Sequence, residues 1–240
     1  PNLPQLVADC RDVGLAVRMI TNGRKLSDSA YLDELVDAGL THCHLSLHSH
    51  RAEIHDGLTG TEGSHEALLR ALAHIGERLE QISVDVNITI NAANADHLDQ
   101  LATMVIERFP FVHHFVFNGL DPETDRLREN PELIPRLRDF ELSLHNAAKL
   151  IEGSKRTLRV ERVPLCFMVD FEHCSTETRK IVKAEERTTH FLDRRGAVRQ
   201  GPSAFVHKHE PPCDPCTLKP ICAGLYQRAS AYDPNELAPQ

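Results

Sequence analysis

Three cysteines crowd into ten residues near the end of the chain, Cys213-Asp-Pro-Cys216-Thr-Leu-Lys-Pro-Ile-Cys222. Thiolates are soft ligands for zinc and for iron–sulfur clusters, and a C-x2-C loop presents two sulfurs to one centre. Three such ligands leave a fourth owed. Cys166, in Val-Pro-Leu-Cys-Phe-Met, is the first candidate for it and Cys174 the second. An odd total of seven cysteines, with three so tightly spaced, fits metal ligation better than a disulfide framework. The spacing alone does not choose between zinc and iron–sulfur.

A second group is His48-Ser49-His50 followed by His55-Asp56. An H-x-H pair at a strand end, with a further histidine and an acid, is what a metal-dependent hydrolase barrel would use. The competing reading is a polar loop after a strand. Thr21-Asn22-Gly23 reads as a turn closing another strand. Ser46 and Asn87 interrupt otherwise apolar strand patterns, and once buried they need hydrogen-bond partners from the backbone or from a ligand.

These residues need a frame. Apolar periodicity and stop signals predict helices over 3–13, 29–38, 66–81, 95–109 and 131–153. Strand patterns fall at 15–20, 42–48, 82–90, 112–117 and 158–163. Helix and strand alternate five times, which implies a parallel sheet or a barrel of βα units. Polar residues gather where strands end, at Thr21-Asn22, His48 to His50, Asn91 and Asn118, the place where βα folds hold their chemistry. From Cys166 the rhythm breaks into charged, short-patterned chain, with a hairpin expected over 191–199 and a short helix within 218–232. A core of residues 1–165 and an extension of residues 166–240 are therefore expected.

Composition narrows the function. Of 240 residues, 41% are apolar and 26% charged, enough for a folded core. The formal net charge of −8 argues against a basic nucleic-acid face, and 5% aromatics without tryptophan is thin for base stacking. No run reaches the roughly 18 apolar residues of a membrane helix. The opening Pro1-Asn2-Leu3-Pro4 has no signal-peptide pattern, so a cytoplasmic location is expected.

Several segments occur in an order that resembles the radical S-adenosylmethionine enzymes. They are Ile20-Thr-Asn-Gly23, Asp37-Ala-Gly-Leu-Thr-His-Cys-His-Leu-Ser-Leu-His48, His55-Asp-Gly-Leu-Thr-Gly60 with Gly63-Ser64, and Asn87-Ile-Thr-Ile-Asn91 with Asn94. The tail from Cys213 through Cys222-Ala-Gly224-Leu-Tyr226 to Tyr232 and Glu236-Leu237 is similar to the auxiliary-cluster tails of some members. The resemblance implies an α/β fold, a partial (β/α) barrel with an irregular cysteine-rich extension. It implies an iron–sulfur protein that binds S-adenosylmethionine through Thr21, Asn22, Ser46, Asn87 and Asn118. Cys166, Cys213, Cys216 and Cys222 would hold an auxiliary [4Fe–4S] cluster.

In that family a catalytic [4Fe–4S] cluster is bound by C-x3-C-x2-C and followed by Gly-Gly-Glu-Pro; neither stands in this sequence. The expectation is that the chain starts one βα unit late and that a missing N-terminal segment or a partner chain supplies the first cluster. The complete reaction would be reductive cleavage of S-adenosylmethionine, with a 5′-deoxyadenosyl radical taking hydrogen from a small-molecule or peptide substrate. A reductant such as flavodoxin or ferredoxin would feed it. The alternatives are a metal-dependent hydrolase barrel using His48, His50 and His55, and a non-catalytic partner protein holding structural zinc.

Overall fold

The computed structural model describes residues 2–121, 125–190, 197–200, 207–226 and 232–240. Helices and strands alternate as the sequence patterns require. The order is α1 (Leu3–Asp12), β1 (Val17–Thr21), α2 (Ser29–Ala38), β2 (Leu40–Ser46), α3 (Ala52–Thr59), α4 (Ser64–Gly76) and β3 (Ser83–Thr89). Next come α5 (Leu98–Arg108), β4 (His114–Asn118), α6 (Asp125–Glu129), α7 (Leu137–Gly153), β5 (Thr157–Glu161) and α8 (Thr176–Val182). Short strands β6 (Arg187–His190), β7 (Ala197–Gln200), β8 (His207–Lys208) and β9 (Leu225–Tyr226) finish the chain.

Strands β1 to β5 form one parallel sheet in the order of the sequence. A helical crossover joins each strand to the next, the connection that parallel pairing needs. The sheet is compatible with a partial α/β barrel; its five strands do not close on themselves.

Local chemistry sets several boundaries. Asp28 caps α2 by accepting from the Ala30 N–H at 3.1 Å, and Gly39 ends the helix at φ 117°, a left-handed turn that costs glycine least. The helix expected to reach residue 81 stops at Gly76. There the Arg78 guanidinium donates to the His74 carbonyl at 2.7 Å, and Leu79 is exposed, so no apolar face continues. The stretch read as a polar loop after His48 contains α3. Its Ile54 and Leu58 repeat at helical spacing, and Gly60 ends it at φ 65°.

The sheet has two unlike faces because side chains alternate along a strand. Leu45, Val86, Ile88, Phe115, Phe117 and Val160 are buried, joined with Leu35, Leu72, Leu101, Val105 and Ile151 of the helices in one apolar core. The opposite face carries the polar residues that line a cleft.

The C-terminal extension packs on that same core through Leu225, Tyr232 and Leu237. Glu236 fastens it by accepting from the Leu137 N–H at the start of α7, at 2.9 Å. Within the region expected to be loops, Ser175 caps α8 by accepting from the Thr178 N–H. The expected hairpin falls largely on residues 191–196, outside the described residues; the flanking strands β6 and β7 pair antiparallel. Of the stretch 218–232 in which a short helix was expected, residues 218–226 form turns and β9, which pairs with β8, and residues 227–231 lie outside the described residues.

Replacing the fully buried Phe115 of β4, a strand paired on both sides, leaves a cavity in the core. Phe115→Ala should cost about 3–5 kcal/mol of unfolding free energy, read as a lower denaturant midpoint with an unchanged far-UV circular dichroism spectrum.

Candidate functional site

The polar face of the sheet floors a cleft of about 1150 Å³. Alternate residues of adjacent strands reach it: Arg18 from β1, His44 from β2, Asp85, Asn87 and Thr89 from β3, His114 and Asn118 from β4, and Arg159 and Glu161 from β5. Parallel register sets them in rows. His44 pairs with Asp85, Ser46 with Asn87, and Thr89 with Asn118.

Two of the five residues expected to bind cofactor meet directly. The Asn118 Nδ2 donates to the Asn87 Oδ1 at 2.5 Å, and both line the cleft. Thr21 and Asn22 are held locally: the Thr21 hydroxyl accepts from the Gly23 N–H at 3.2 Å and the Asn22 side chain from the Arg24 N–H at 3.3 Å. These bonds build the turn that carries Gly23, at φ 73°, into the core beside Leu45 and Leu68. Ser46 stands at the end of β2, half-buried next to Asn87.

The four cysteines singled out by the sequence surround one small cavity. Cys166 enters from the turn Leu165–Phe167 just after β5, and Cys213, Cys216 and Cys222 come from the tail. Pro164, Leu165, Leu218 and Leu237 supply apolar walls. Burial pushes the Cys166 thiol up to about 11, with the neighbouring Cys222 and Cys213 adding to the shift. Burial likewise raises Cys222, against hydrogen bonds from the Leu165 and Gly224 backbone. The Gly224 N–H lies 3.3 Å from the Cys222 sulfur. Gly224 has φ 81°, and a Cβ there would stand 2.3 Å from the Lys208 carbonyl oxygen, so only glycine fits. Cys174 does not join this cavity. It faces the cleft, its sulfur 3.5 Å from Glu152 Oε1.

Of the three histidines of the hydrolase alternative, His48 and His55 stack with ring centroids 5.7 Å apart, while His50 turns to another partner. His55 is fully buried in α3, its Nδ1 accepting from the His48 N–H at 3.2 Å. The His48 Nδ1 accepts from the Thr89 N–H at 3.3 Å, which ties β2 to β3. The His50 ring instead sits edge-on to His97, 5.1 Å between centroids. Asp56, the other member of that motif, accepts from the N–H groups of Gly63 and His65 and from the Ser64 hydroxyl, capping α4. These hydrogen bonds hold its carboxyl below the usual range.

Ser49, His97 and Asp96 also lie in line, at 3.1 and 2.6 Å. Ser49 is completely buried and its hydroxyl accepts from the Arg51 N–H at 3.0 Å. A nucleophile must reach substrate, so this chain of bonds is structural.

Sequence reasoning passed over the group that converges most closely. His42 Nε2 and His44 Nε2 lie 2.9 and 2.8 Å from Asp85 Oδ2, with the Arg18 guanidinium against both His44 and Asp85. Burial lowers His42 and His114. Burial also pulls the Asp85 carboxyl up, but the bond to His44 and the charges of the histidines leave it below its ordinary value. The available signal was polar residues at alternating positions of apolar strands, the same one that flagged Ser46 and Asn87.

The class defined by fold and site is an α/β protein with a parallel sheet, a polar cleft on one face and a separate four-cysteine cavity. No protein-family profile matches the chain. Part of it is similar to the PqqA peptide cyclase of Methylocella silvestris, 30% identical over 105 residues. That stretch is 44% of this chain and 27% of the cyclase, so the likeness spans about a quarter of that relative. It supports a relationship to the radical S-adenosylmethionine enzymes. No helix among the described residues is long and apolar enough to cross a membrane.

Burial, with the charges of His48 and His65, lowers His55 from 6.5 to about 4. The unfolded chain therefore binds the proton more readily, and stability is full above pH 6.5 and falls as pH drops towards 4. Up to about 3 kcal/mol is at stake. His55→Gln should flatten this slope when denaturant midpoints are compared at pH 7 and pH 5.

Proposed function

We propose that the chain is part of a radical S-adenosylmethionine-type iron–sulfur protein acting on a peptide. In this reading Cys166, Cys213, Cys216 and Cys222 hold a [4Fe–4S] cluster, and the polar face of the sheet binds S-adenosylmethionine beside the substrate. The single observation that carries it is the gathering of Cys166 with the three tail cysteines, far from it in sequence, about one cavity. The partial likeness to a peptide cyclase and the order of motifs around Asn22, His48 and Asn87 point the same way.

The donor set suits a cluster. A tetrahedral zinc with bonds of about 2.3 Å draws its four sulfurs to roughly 3.8 Å from one another. Among the described residues, no three of these sulfurs stand within 4.8 Å of each other. A cubane binds each cysteine to a different iron and so takes a wider set. Backbone N–H groups of Gly224, Leu165 and Ala238 directed at the Cys222 and Cys166 sulfurs would stabilise negative charge there. Such a cluster supplies one-electron transfer, fed by an external reductant of the flavodoxin or ferredoxin kind.

The cleft exceeds the common 300–1,000 Å³ range of small-ligand pockets, room for a nucleoside cofactor and part of a peptide together. Asn87 and Asn118 share one hydrogen bond, which leaves the Asn87 amide hydrogens and the Asn118 amide oxygen for a ligand. Ser46 and Asn22 sit at the neighbouring strand ends, with Thr21 holding the Asn22 turn. Glu161, Arg159 and Arg179 line the wall and give it charges of both signs for substrate.

Protein prepared without oxygen and supplied with iron and sulfide should be brown and carry equal iron and sulfide. Cys213→Ala with Cys216→Ala should lose both; iron retained in that variant, or a colourless protein holding zinc alone, counts against the cluster. Asn87→Ala and Asn118→Ala should each weaken S-adenosylmethionine binding by roughly three- to tenfold in calorimetry, the worth of a hydrogen bond. Unchanged affinity in both would remove them from the site.

A further inference from the structure

We infer that His42, His44 and Asp85 form a second metal site, for a single divalent first-row transition ion, on the floor of the cleft. The site lies two residues down β3 from Asn87, about 6.6 Å along the strand towards its N-terminal end. It is separate from the four-cysteine cavity and does not rest on the S-adenosylmethionine reading.

His42 and His44 are two apart on β2, so their side chains leave the same face, and Asp85 is the register partner of His44 on β3. One ligand atom from each comes within 4.8 Å of the other two. Both imidazoles turn the same nitrogen, Nε2, to the same carboxylate oxygen, at 2.9 and 2.8 Å. The other nitrogen of His42 is fixed by the Ser83 hydroxyl, 2.7 Å away. A partner of that kind orients metal-bound histidines and sets the tautomer. His114 stands in the same row on β4, its Nδ1 held 2.8 Å from the Thr157 hydroxyl, and it lines the cleft beside Asp85.

The Arg18 guanidinium approaches the same carboxylate oxygen, 3.6 Å away, so a positive charge already stands beside the three ligand atoms. With a divalent ion in its place, both histidine nitrogens and the carboxylate would serve as electron-pair donors. Arg18 stands in as the cation. It lies on the edge strand with its side chain half exposed, so it can swing away into the cleft.

Two imidazoles and a carboxylate suit zinc, cobalt, nickel or ferrous iron and are too rich in nitrogen for magnesium or calcium. Three protein ligands leave coordination positions open towards the cleft, where an oxygen of the substrate or water would bind.

Cobalt(II) titration of the full chain, read by visible absorption, tests this. The variant Cys213→Ser with Cys216→Ser, which lacks two of the cavity's thiolates, should still bind one equivalent, with a nitrogen–oxygen spectrum free of thiolate charge transfer. His44→Gln and Asp85→Asn, placed in that background, should bind it roughly 100-fold more weakly. Arg18→Ala should bind it about tenfold more tightly, since the competing cation is gone. Cobalt bound only through thiolate overturns the site, as does affinity unchanged in His44→Gln and Asp85→Asn. Should circular dichroism show those two variants unfolded, Arg18→Ala decides: tighter binding supports the site, equal or weaker binding overturns it.

Discussion

The parallel register between neighbouring strands governs what this molecule can bind. Side chains alternate from one face of a strand to the other, so a one-residue slip of β3 would turn Val84, Val86 and Ile88 to the cleft and bury Asp85, Asn87 and Thr89. The buried face enforces the register, because the apolar residues of β2, β3 and β4 must meet the helices α4, α5 and α7. The His48 ring, which takes the Thr89 N–H, continues the ladder past the end of β2. A few strand contacts thereby place the Asn87–Asn118 pair and the His42–His44–Asp85 group at the same time.

The C-terminal extension depends on that frame. Cys166 follows β5 by a few residues, so its sulfur goes where the sheet sends it, and the other three cysteines arrive on a tail fastened by Glu236 to the start of α7. Arg162 lines the cleft and also lies over the Tyr226 ring, 5.3 Å from its centroid, while the Tyr226 hydroxyl donates to Asp121 at 3.1 Å. The cleft and the cysteine-bearing tail thus share side chains.

Histidine is used here in three ways that burial separates. His55 and His65 fill space between α3 and the strands, and their environment keeps them neutral. His97 joins the exposed Asp96 to the buried Ser49. His44 and His114 face the cleft, and His42 and His44 share Asp85. Residue type alone does not distinguish these uses; what differs is whether the ring nitrogen meets the backbone, another side chain or open space.

The alternation of helices and strands was legible in the sequence because periods of 3.6 and 2 are local, as were the glycine stop after α2 and the tight cysteine spacing. Ser46 and Asn87 could be marked as odd for their strands from patterns within a few residues, and Cys166 could be singled out as a candidate companion of the tail cysteines, whose cavity it lines. The helix α3 escaped because polar histidines masked its short apolar stripe. The partners of each odd residue escaped too: nothing local says that Asn87 meets Asn118, that Asp85 meets two histidines, or that the tail returns to Cys166. Those pairings join positions tens of residues apart, and only the packing of the helices against one face of the sheet fixes them. The sequence by itself determined which chemical groups were available and on which kind of element. Tertiary structure decided which of them converge, because register and burial act between segments and leave no period along the chain.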